Sequence, residues 1–446
     1  MKIPQRRAVL LLVKSAVTGA LGGLLFGFDT AVIAGATHPL VLQYGLSDKQ
    51  LGFTVSVALL GTVIGAIGSG PIGQRIGSRA ALRIMGVLYL LSALGCALAP
   101  TWGFLLAARF IGGLGIGGSS VLGPVYIAEL APAKWRGRLV GMFQINIVIG
   151  ILLAYLSNAI VAHFVHSDAI WRWEFGVAIL PALLFLAMLF TVPHSSRWLV
   201  SQNRIDEAIE ILARMGSPDS RAEVDAIALS LQEEGGAAQT SLFQRRYALP
   251  IFLAITIGAF NQLTGINAIL YYLNDIFRSA GFSNVSANGQ AVAIGAANLL
   301  ATLFGISLID KAGRKTLLLI GAAGCAACLA GVSMLFGRNE HLALLLPLLV
   351  AFIIFFAISQ GAVIWVYIGE VFPTNVRAKG QSLGSSSHWV MNALIAFLFP
   401  VLARNSRAVP FVFFAVMTMV QFFTVLFVYP ETKGVTLEEM QHHLGH

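Results

Sequence analysis

Apolar residues in this chain fall in long unbroken runs, not in the short alternating patterns of soluble strands and helices. Twelve runs stand out, at about 14–37, 50–73, 80–99, 102–126, 138–163, 172–192, 249–277, 289–309, 315–337, 342–369, 380–403 and 408–429. Each is close to or above the roughly 20 residues with which an α-helix crosses a bilayer. One interval breaks the rhythm. Residues 194–248 carry Asp, Glu and Arg dispersed through helix-like stretches at 203–215 and 220–234, with a Gly-Ser-Pro turn between them. That pattern predicts a soluble helical insert between two sets of six spans. The basic N-terminal MKIPQRR leads into an apolar run that continues past residue 30 without an A-x-A-like site. It reads as a first span and not as a removed signal peptide.

Composition sharpens this picture. Of 446 residues, 57% are hydrophobic and 11% charged, with a mean hydropathy of +0.80. A soluble domain carries roughly 25% charged residues, so a soluble globule could not hide this much apolar surface. Disordered, collagen-like and coiled-coil chains are excluded on the same grounds. The expectation is an all-α polytopic membrane protein that meets the lipid bilayer on all sides. Cys96, Cys325 and Cys328 lie in apolar runs, so no disulfide framework is expected. Cys325-x-x-Cys328 has no His or acidic partner nearby and reads as helix packing.

The net charge of +9 is explained by topology and needs no nucleic-acid partner. With both termini in the cytoplasm, 22 of the 29 Lys and Arg fall on cytoplasmic segments and 6 on outer loops, with Arg109 inside a span. This is the positive-inside bias. It predicts a multi-pass cell-membrane protein, and the short tails suggest a bacterial inner membrane.

The two sets of spans read as repeats. Glu129 and Arg136 in AELAPAKWRGR are seven apart, as are Glu370 and Arg377 in GEVFPTNVRAK. GQRIGSR at 73–79 answers IDKAGRK at 309–315, and PHSSRW at 193 answers PETKGV at 430. The offsets are 241, 236 and 237 residues, in one order along the chain. Parallel halves of this kind, with a central site, are known in one large transporter class. The predicted division is a six-helix bundle at 1–193, an intracellular helical domain at 194–248, a second bundle at 249–430 and a C-terminal tail or helix at 431–446.

Within the spans, charge is rare and therefore informative. Asp29 lies about midway through the first run and is the only acidic residue that the pattern places at hydrocarbon depth. A buried carboxylate is expensive unless paired or protonated, and such residues mark proton relays or ligand sites more often than solvated ends. Arg109, early in the fourth run, is the only intramembrane base and a natural partner. Protonation of Asp29 would release Arg109, and deprotonation would restore the pair. The seventh run carries Asn261, Gln262, Thr264 and Asn267, then Tyr271 and Tyr272. Buried amides with aromatics are what neutral polyols require, although single amides also serve as interhelical hydrogen bonds. Gln144, Asn146, Asn298, Gln360, Asn392, Trp365 and Trp389 add to this set from other runs. The Glu-Arg pairs 129/136 and 370/377, with Arg75 and Arg314, lie at cytoplasmic span ends, where their charges can bridge two halves while the inner side is closed.

Other signals carry less. Gly113-x-Gly115-x-x-Gly118 lies inside a span and not after a strand, so helix packing explains it better than a dinucleotide does. Gly19-x-x-x-Gly23 and Gly61-x-x-x-Gly65 read the same way. His442, His443 and His446 read as a solvated tail and not as a metal site. Asn284-Val-Ser fits a glycosylation pattern that is common by chance. No phosphate-binding loop, nucleophile–base constellation or metal cluster appears, so no cofactor, metal or enzymatic activity is expected.

The motifs GGLLFGFDTAVIAGA, ARFIGGLGIGG, AELAPAKWRGR, QLTGINAILYY, DKAGRK, GEVFPTNVRAKG and PETKGVTLEEM run almost from end to end. With them the chain resembles the sugar porter family of the major facilitator superfamily. The resemblance implies twelve helices in two pseudo-symmetric six-helix bundles plus a small cytoplasmic helical domain. It also implies that Gln144, Gln262, Asn267, Asn298, Trp365, Trp389 and Asn392 hold a monosaccharide, that Phe26 and Gly361 line its pocket, and that Tyr271 and Tyr272 form an outer gate. Asp29 matches the proton-coupling carboxylate of bacterial sugar–proton symporters, with Arg109 as partner, whereas facilitators of the mammalian glucose type typically lack an acid there. The implied activity is proton-coupled uptake of a hexose or pentose by a monomer. A uniporter, a sugar–proton antiporter and a non-transporting sugar sensor are the alternatives, the sensors usually having long cytoplasmic extensions.

The chain also departs from the family. Asn261 stands in place of the first Gln of the family's QQLSGIN, and His388 in place of an amide before Trp389. Both remain candidate sugar contacts. Gln360-Gly-Ala-Val-Ile-Trp365 lacks the usual Pro after Gly361. Gln74, Ser78, His194 and Ser196 alter the loops D-R-x-G-R-R and PESPRW.

Overall fold

The computed structural model describes residues 5–132, 135–237, 241–373 and 376–433. The C-terminal His cluster, most of the tail at 431–446, and Lys134 lie outside them. The described residues are helical, without strands. This follows from the medium: with no water at hydrocarbon depth, every backbone N–H and C=O must be satisfied within its own segment. Among the described residues, twelve helical spans are long and apolar enough to cross a membrane. Large apolar side chains such as Leu98, Phe164, Leu180, Phe190, Phe304 and Phe427 lie exposed on them, which in this setting is surface for lipid.

In chain order, α1 (Gln5–Tyr44), α2 (Asp48–Ile76), α3 (Ser78–Leu98), α4 (Trp102–Leu130) and α5 (Arg136–Phe164) are the first five spans. The sixth is α6 (Ile170–Val177) with α7 (Ile179–Leu189). The insert is α8 (Ser196–Ser201), α9 (Ile205–Arg214) and α10 (Ser220–Ala237), around a small core of Leu199, Leu212 and Val224. Ser195 caps α8 by accepting from the Trp198 N–H. The seventh span is α11 (Ala248–Leu263) with α12 (Ile266–Tyr271), followed by α13 (Leu273–Ser279). Then come α14 (Asn284–Ala312), α15 (Arg314–Arg338), the broken tenth span α16 (Leu345–Ile358) and α17 (Gln360–Glu370), α18 (Arg377–Ala403) and α19 (Val409–Val428). The helices overrun the apolar runs at several ends. Once nucleated, a helix extends into the interface at one hydrogen bond per residue added.

Two compact units emerge from the packing. The first comprises Met1–Asp29, Leu60–Ile151 and Phe175–Gln239. Its core runs through Leu82, Tyr89, Tyr126, Phe185 and Leu189. The second comprises Thr30–Leu59, Leu152–Glu174 and Thr240–His446, with a core of Leu253, Ile257, Leu318, Tyr367, Phe372 and Val425.

Glycines let backbones meet inside the first unit. A β-carbon on Gly117 would lie 2.0 Å from the Thr62 carbonyl oxygen, on Gly61 2.3 Å from that of Phe110, and on Gly65 2.3 Å from that of Leu114. On Gly27 it would lie 1.8 Å from the Ile147 carbonyl, and on Gly150 2.1 Å from that of Leu24. In lipid, helix association depends on such close van der Waals approach. Of the small-residue spacings seen in the sequence, Gly61-x-x-x-Gly65 is a seam of α2 on α4, Gly19 and Gly23 set α1 against α4 and α5, and Gly115 and Gly118 set α4 against Met85 of α3. Because the obstacle is backbone, Gly117→Ala should destabilise the protein by about 1–3 kcal/mol, read as a lowered thermal midpoint in detergent. Gly68→Ala, at a position with open space around it, should not.

Candidate functional site

In the first unit, Asp29 on α1 faces Arg109 on α4, with Nη1 3.9 Å from Oδ1. Arg109 is only 3% exposed and Asp29 25%. The guanidinium also lies 5.5 Å above the centre of the Phe175 ring, a cation–π contact. Close by in the same packing, the Tyr89 hydroxyl meets Ser119 Oγ at 2.9 Å. A lone charge at this depth would cost several kcal/mol, and each member of the pair offsets that cost for the other. A proton on Asp29 would remove the charge that faces the Arg109 guanidinium. Phe26, on the same helix as Asp29, and Gln144 on α5 are both half-buried.

The second unit holds the amides. Gly265 adopts a left-handed conformation (φ +82°) between α11 and α12. A side chain there would also strike the Phe414 ring, 2.3 Å from its β-carbon. This break joins two polar helix ends. Asn267 Nδ2 donates to Gln262 Oε1 at 3.1 Å, and Gln262 Nε2 donates to Asn261 Oδ1 at 3.0 Å. Gln262 Nε2 also lies 3.2 Å from Nε2 of His388 on α18. The His388 ring sits between Trp365 and Trp389, with centroids 5.2 and 5.1 Å away. Trp389 is 4% exposed, whereas Trp365 is 40% exposed. Asn392 and the Tyr271 hydroxyl exchange hydrogen bonds at 3.1 and 3.2 Å, and the Tyr272 hydroxyl donates to the Ala396 carbonyl at 2.9 Å. Asn298 approaches Thr302 at 3.5 Å. Gln360 opens α17 just after Ser359 interrupts the tenth span, and is 1% exposed. Both of its side-chain polar atoms lack a protein partner among the described residues. Gly361 beside it is half-buried. The cluster mixes amide donors, amide acceptors and aromatic rings without a fixed charge, a surface suited to a neutral polyhydroxyl ligand.

The span ends carry the duplicated charges, and the two halves solve the same problem differently. Gly77 before α3 (φ 88°, ψ 145°) and Gly313 before α15 (φ 92°, ψ 155°) have the same conformation 236 residues apart. In the second half, Arg314 grips Glu370 in two-pronged fashion, Nη2–Oε1 at 2.8 Å and Nε–Oε2 at 3.2 Å. Thr432 Oγ1 adds a hydrogen bond to Glu370 at 2.6 Å. Glu431 accepts from the backbone N–H groups of Arg314 at 2.8 Å and Lys315 at 3.0 Å, at the start of α15. Burial pushes the Glu431 carboxyl up, but the N–H groups of Lys433, Arg314, Lys315 and Thr432 outweigh it and hold the carboxyl below its usual range.

In the first half the matching position is His194. Its Nε2 lies 2.7 Å from Arg79 Nη2, and its ring stacks on Trp198 at 5.0 Å. Burial, then Arg79, Arg204 and Arg83, push the imidazole down to about 4. It is therefore neutral at physiological pH and accepts from Arg79. Glu129 accepts from Ser78 Oγ at 3.1 Å. Arg75 and Arg136 are exposed, and Arg377 Nε donates to the Phe372 carbonyl at 3.3 Å. The sequence spacing suggested Glu370 with Arg377; the structure sets Glu370 against Arg314.

One residue corrects the sequence reading. Asp29 is not the only acid enclosed within a span. Glu174 on α6 is 2% exposed, and its Oε2 has no partner among the described residues. A place near the end of a span gave no sign of this. Its burial comes from Gly35 on α1, whose missing side chain makes room for it: a β-carbon there would lie 2.5 Å from Glu174 Oε1.

Comparison with known proteins places this geometry. The family model described as "Sugar (and other) transporter" matches residues 15–444. The chain is 36% identical over 445 residues to a glucose transport protein of Synechocystis sp., covering 94% of this chain and 95% of that protein. It is 34% identical over 466 residues to the D-xylose-proton symporter of Escherichia coli, covering 95% and 94%. The inward-open structure of the E. coli xylose transporter superposes with a TM-score of 0.86 at 32% identity, over 96% of this chain and 98% of that one.

The His194 contact sets a pH dependence. Its folded value lies below the ordinary 6.5, so the unfolded chain binds more protons between those values and stability falls as pH drops from about 6.5 toward 4. His194→Gln should flatten thermal stability across that window, measured as the melting midpoint against pH.

Proposed function

The chain belongs to the sugar transporter family, and from that premise we propose that this multi-pass membrane protein imports a monosaccharide together with a proton by alternating access. The observation that carries the reading is the half-buried Asp29 facing the buried Arg109 at 3.9 Å. It gives the protein a carboxylate whose charge is balanced by one partner and whose protonation changes that balance. The relatives whose names include xylose and glucose make these the first substrates to test. The 22-to-6 distribution of basic residues supports cytoplasmic termini, and the charged helical stretch at 194–248 between two sets of six apolar spans supports two bundles and an intracellular domain. The protein acts as a monomer in the bacterial inner membrane, because each chain carries both the carboxylate and the amide set.

The cycle begins open to the outside. Asp29 takes a proton and releases Arg109. Sugar hydroxyls then bond to Gln262, Asn261, Asn267, Asn298 and Asn392, with His388 and Gln360 supplying further polar atoms. A pyranose face lies against Trp365, the exposed ring of the set. Gln144, Phe26 and Gly361 complete the contacts that the family resemblance implies. Tyr271 and Tyr272 close behind the sugar, and the Arg314–Glu370 and Glu129–Ser78 contacts part as the inner side opens. Sugar leaves first and the proton follows, so the inward proton gradient drives accumulation.

The test is reconstitution in liposomes with radiolabelled xylose and glucose, with and without an inward proton gradient. Accumulation above the external concentration that a protonophore abolishes supports symport; equilibration indifferent to the gradient means a uniporter. Asp29→Asn should lose accumulation yet keep sugar counterflow within a few-fold, and a mutant that still accumulates fully would remove Asp29 from the mechanism. Gln262→Ala should weaken apparent sugar affinity about 5- to 150-fold, the equivalent of about 1–3 kcal/mol for hydrogen bonds left unmade in a buried site. An unchanged half-saturation concentration would take Gln262 out of the sugar site.

A further inference from the structure

Glu174 has no role in the cycle above, yet it is the most completely enclosed carboxylate among the described residues. It is 2% exposed, against 25% for Asp29. Its neighbours make the enclosure specific. A β-carbon on Gly35 would lie 2.5 Å from Glu174 Oε1 and 2.7 Å from Asn158 Nδ2, so α1, α5 and α6 bring carboxyl and amide to one point. Asn158 is fully buried, and its Nδ2 donates to the Val32 carbonyl at 3.1 Å. That bond fixes which way the amide faces. Its Oδ1 is then an acceptor, and it lacks a donor, as does Glu174 Oε2. The site therefore holds two enclosed acceptors and is short of one hydrogen.

Charges nearby do not supply the balance. The charged group that acts on Glu174 is Arg278 on α13, and Arg278 is already paired with Asp275 one turn earlier. His38 on α1 faces that same Arg278–Asp275 pair. Tyr155 on α5 directs its hydroxyl to the Leu270 carbonyl at 2.8 Å. On the helix of Glu174 itself, Arg172 lies over the Trp171 ring at 4.4 Å, and Trp171 donates to Gln43 at 2.8 Å. An ionised carboxylate in this position would carry a desolvation cost of several kcal/mol that no dedicated cation offsets; such groups take up a proton instead.

We propose that Glu174 is a proton-binding site beside Asn158, and that the proton stays bound while this end of the second unit is packed shut. The packing is tight. A β-carbon on Gly35 would also lie 2.8 Å from Glu174 Cδ, so α1 leaves no room beside the carboxyl. Tyr155 and Leu270 tie α5 to α12 in the same region. Parting these contacts would admit water to Glu174 and let it ionise. The packed state then binds one more proton than the parted state, so rising pH favours parting. Glu174 thus adds a second proton to the cycle, taken up on closure of this end and distinct from that on Asp29. The link to transport rests on the proton-coupled reading above; the proton on Glu174 does not.

The experiment is infrared difference spectroscopy of the full chain in liposomes, titrated from acid to alkaline pH in potassium buffer and again in sodium buffer. A protonated-carboxyl C=O band should persist to higher pH than the bulk carboxyls. It should survive in Asp29→Asn and vanish in Glu174→Gln. Asn158→Leu should shift its frequency, which serves as the test should Glu174→Gln fail to fold. Wild-type and Glu174→Gln spectra that titrate identically would overturn the proposal, as would a band that sodium removes at constant pH, which would assign a metal cation instead. Xylose counterflow at symmetric pH supplies the functional arm. In Asp29→Asn, exchange should still change with pH, and that dependence should be lost in Asp29→Asn/Glu174→Gln; equal profiles would overturn the link to closure. The infrared arm needs no sugar, so its outcome for Glu174 stands whether or not the protein carries xylose.

Discussion

Water is absent at hydrocarbon depth, and backbone polar groups that meet lipid there must find partners within the protein. The backbone meets the demand by staying helical. Where the helices break, the freed groups sit among side chains that can serve them. The break at Gly265 lies between Gln262 and Asn267, which hydrogen-bond across it. The break at Ser359 is followed by Gln360, whose amide is enclosed. In both places the interruption of the helix and the polar cluster are one feature. A continuous helix would have pointed these amides around its circumference.

The same constraint governs charge. Asp29 and Arg109 are tolerable at depth because each lowers the cost of the other. That also makes them responsive: neutralising one changes the energy of the other far more than at a surface, where an ion pair is worth little. Glycine is the structural prerequisite. The β-carbon missing from Gly117, Gly27 and Gly150 lets α1, α2, α4 and α5 approach to backbone contact. Larger residues would hold those helices apart and open space that water could enter.

Much of this was legible in the sequence. Hydropathy marks the spans, since twenty apolar residues have few other uses in a chain so poor in charge. The repeat landmarks marked the charged span ends, and the shared conformation of Gly77 and Gly313 is the structural form of that repeat. Partner choice was not legible. Spacing relates Glu370 to Arg377, but the carboxylate meets Arg314, which precedes it by 56 residues and is brought in by the packing of α15 on α17. The burial of Glu174 was equally hidden, because a span-end position gives no sign of it. Its enclosure depends on a glycine 139 residues earlier and an amide on a third helix. Both cases concern contacts between distant segments, and neither hydropathy nor motif encodes those.

The two halves share a plan at their charged ends but not a chemistry. Glu431 gathers backbone N–H groups at the start of α15, and a carboxylate there complements both the helix dipole and the free amides. His194, at the corresponding point, presents a neutral ring to Arg79 and stacks on Trp198. A neutral acceptor gives up the charge–charge attraction that a carboxylate would offer Arg79, although the cationic donor keeps the hydrogen bond charge-assisted. The anchoring of the first half at this point therefore rests more on aromatic stacking and less on charge, while the second half keeps a network of Arg314, Glu370, Glu431 and Thr432. Separating a charged network from its partners costs more than unstacking a ring. Protonating the imidazole would remove the acceptor that Arg79 meets, so proton concentration acts on this point directly.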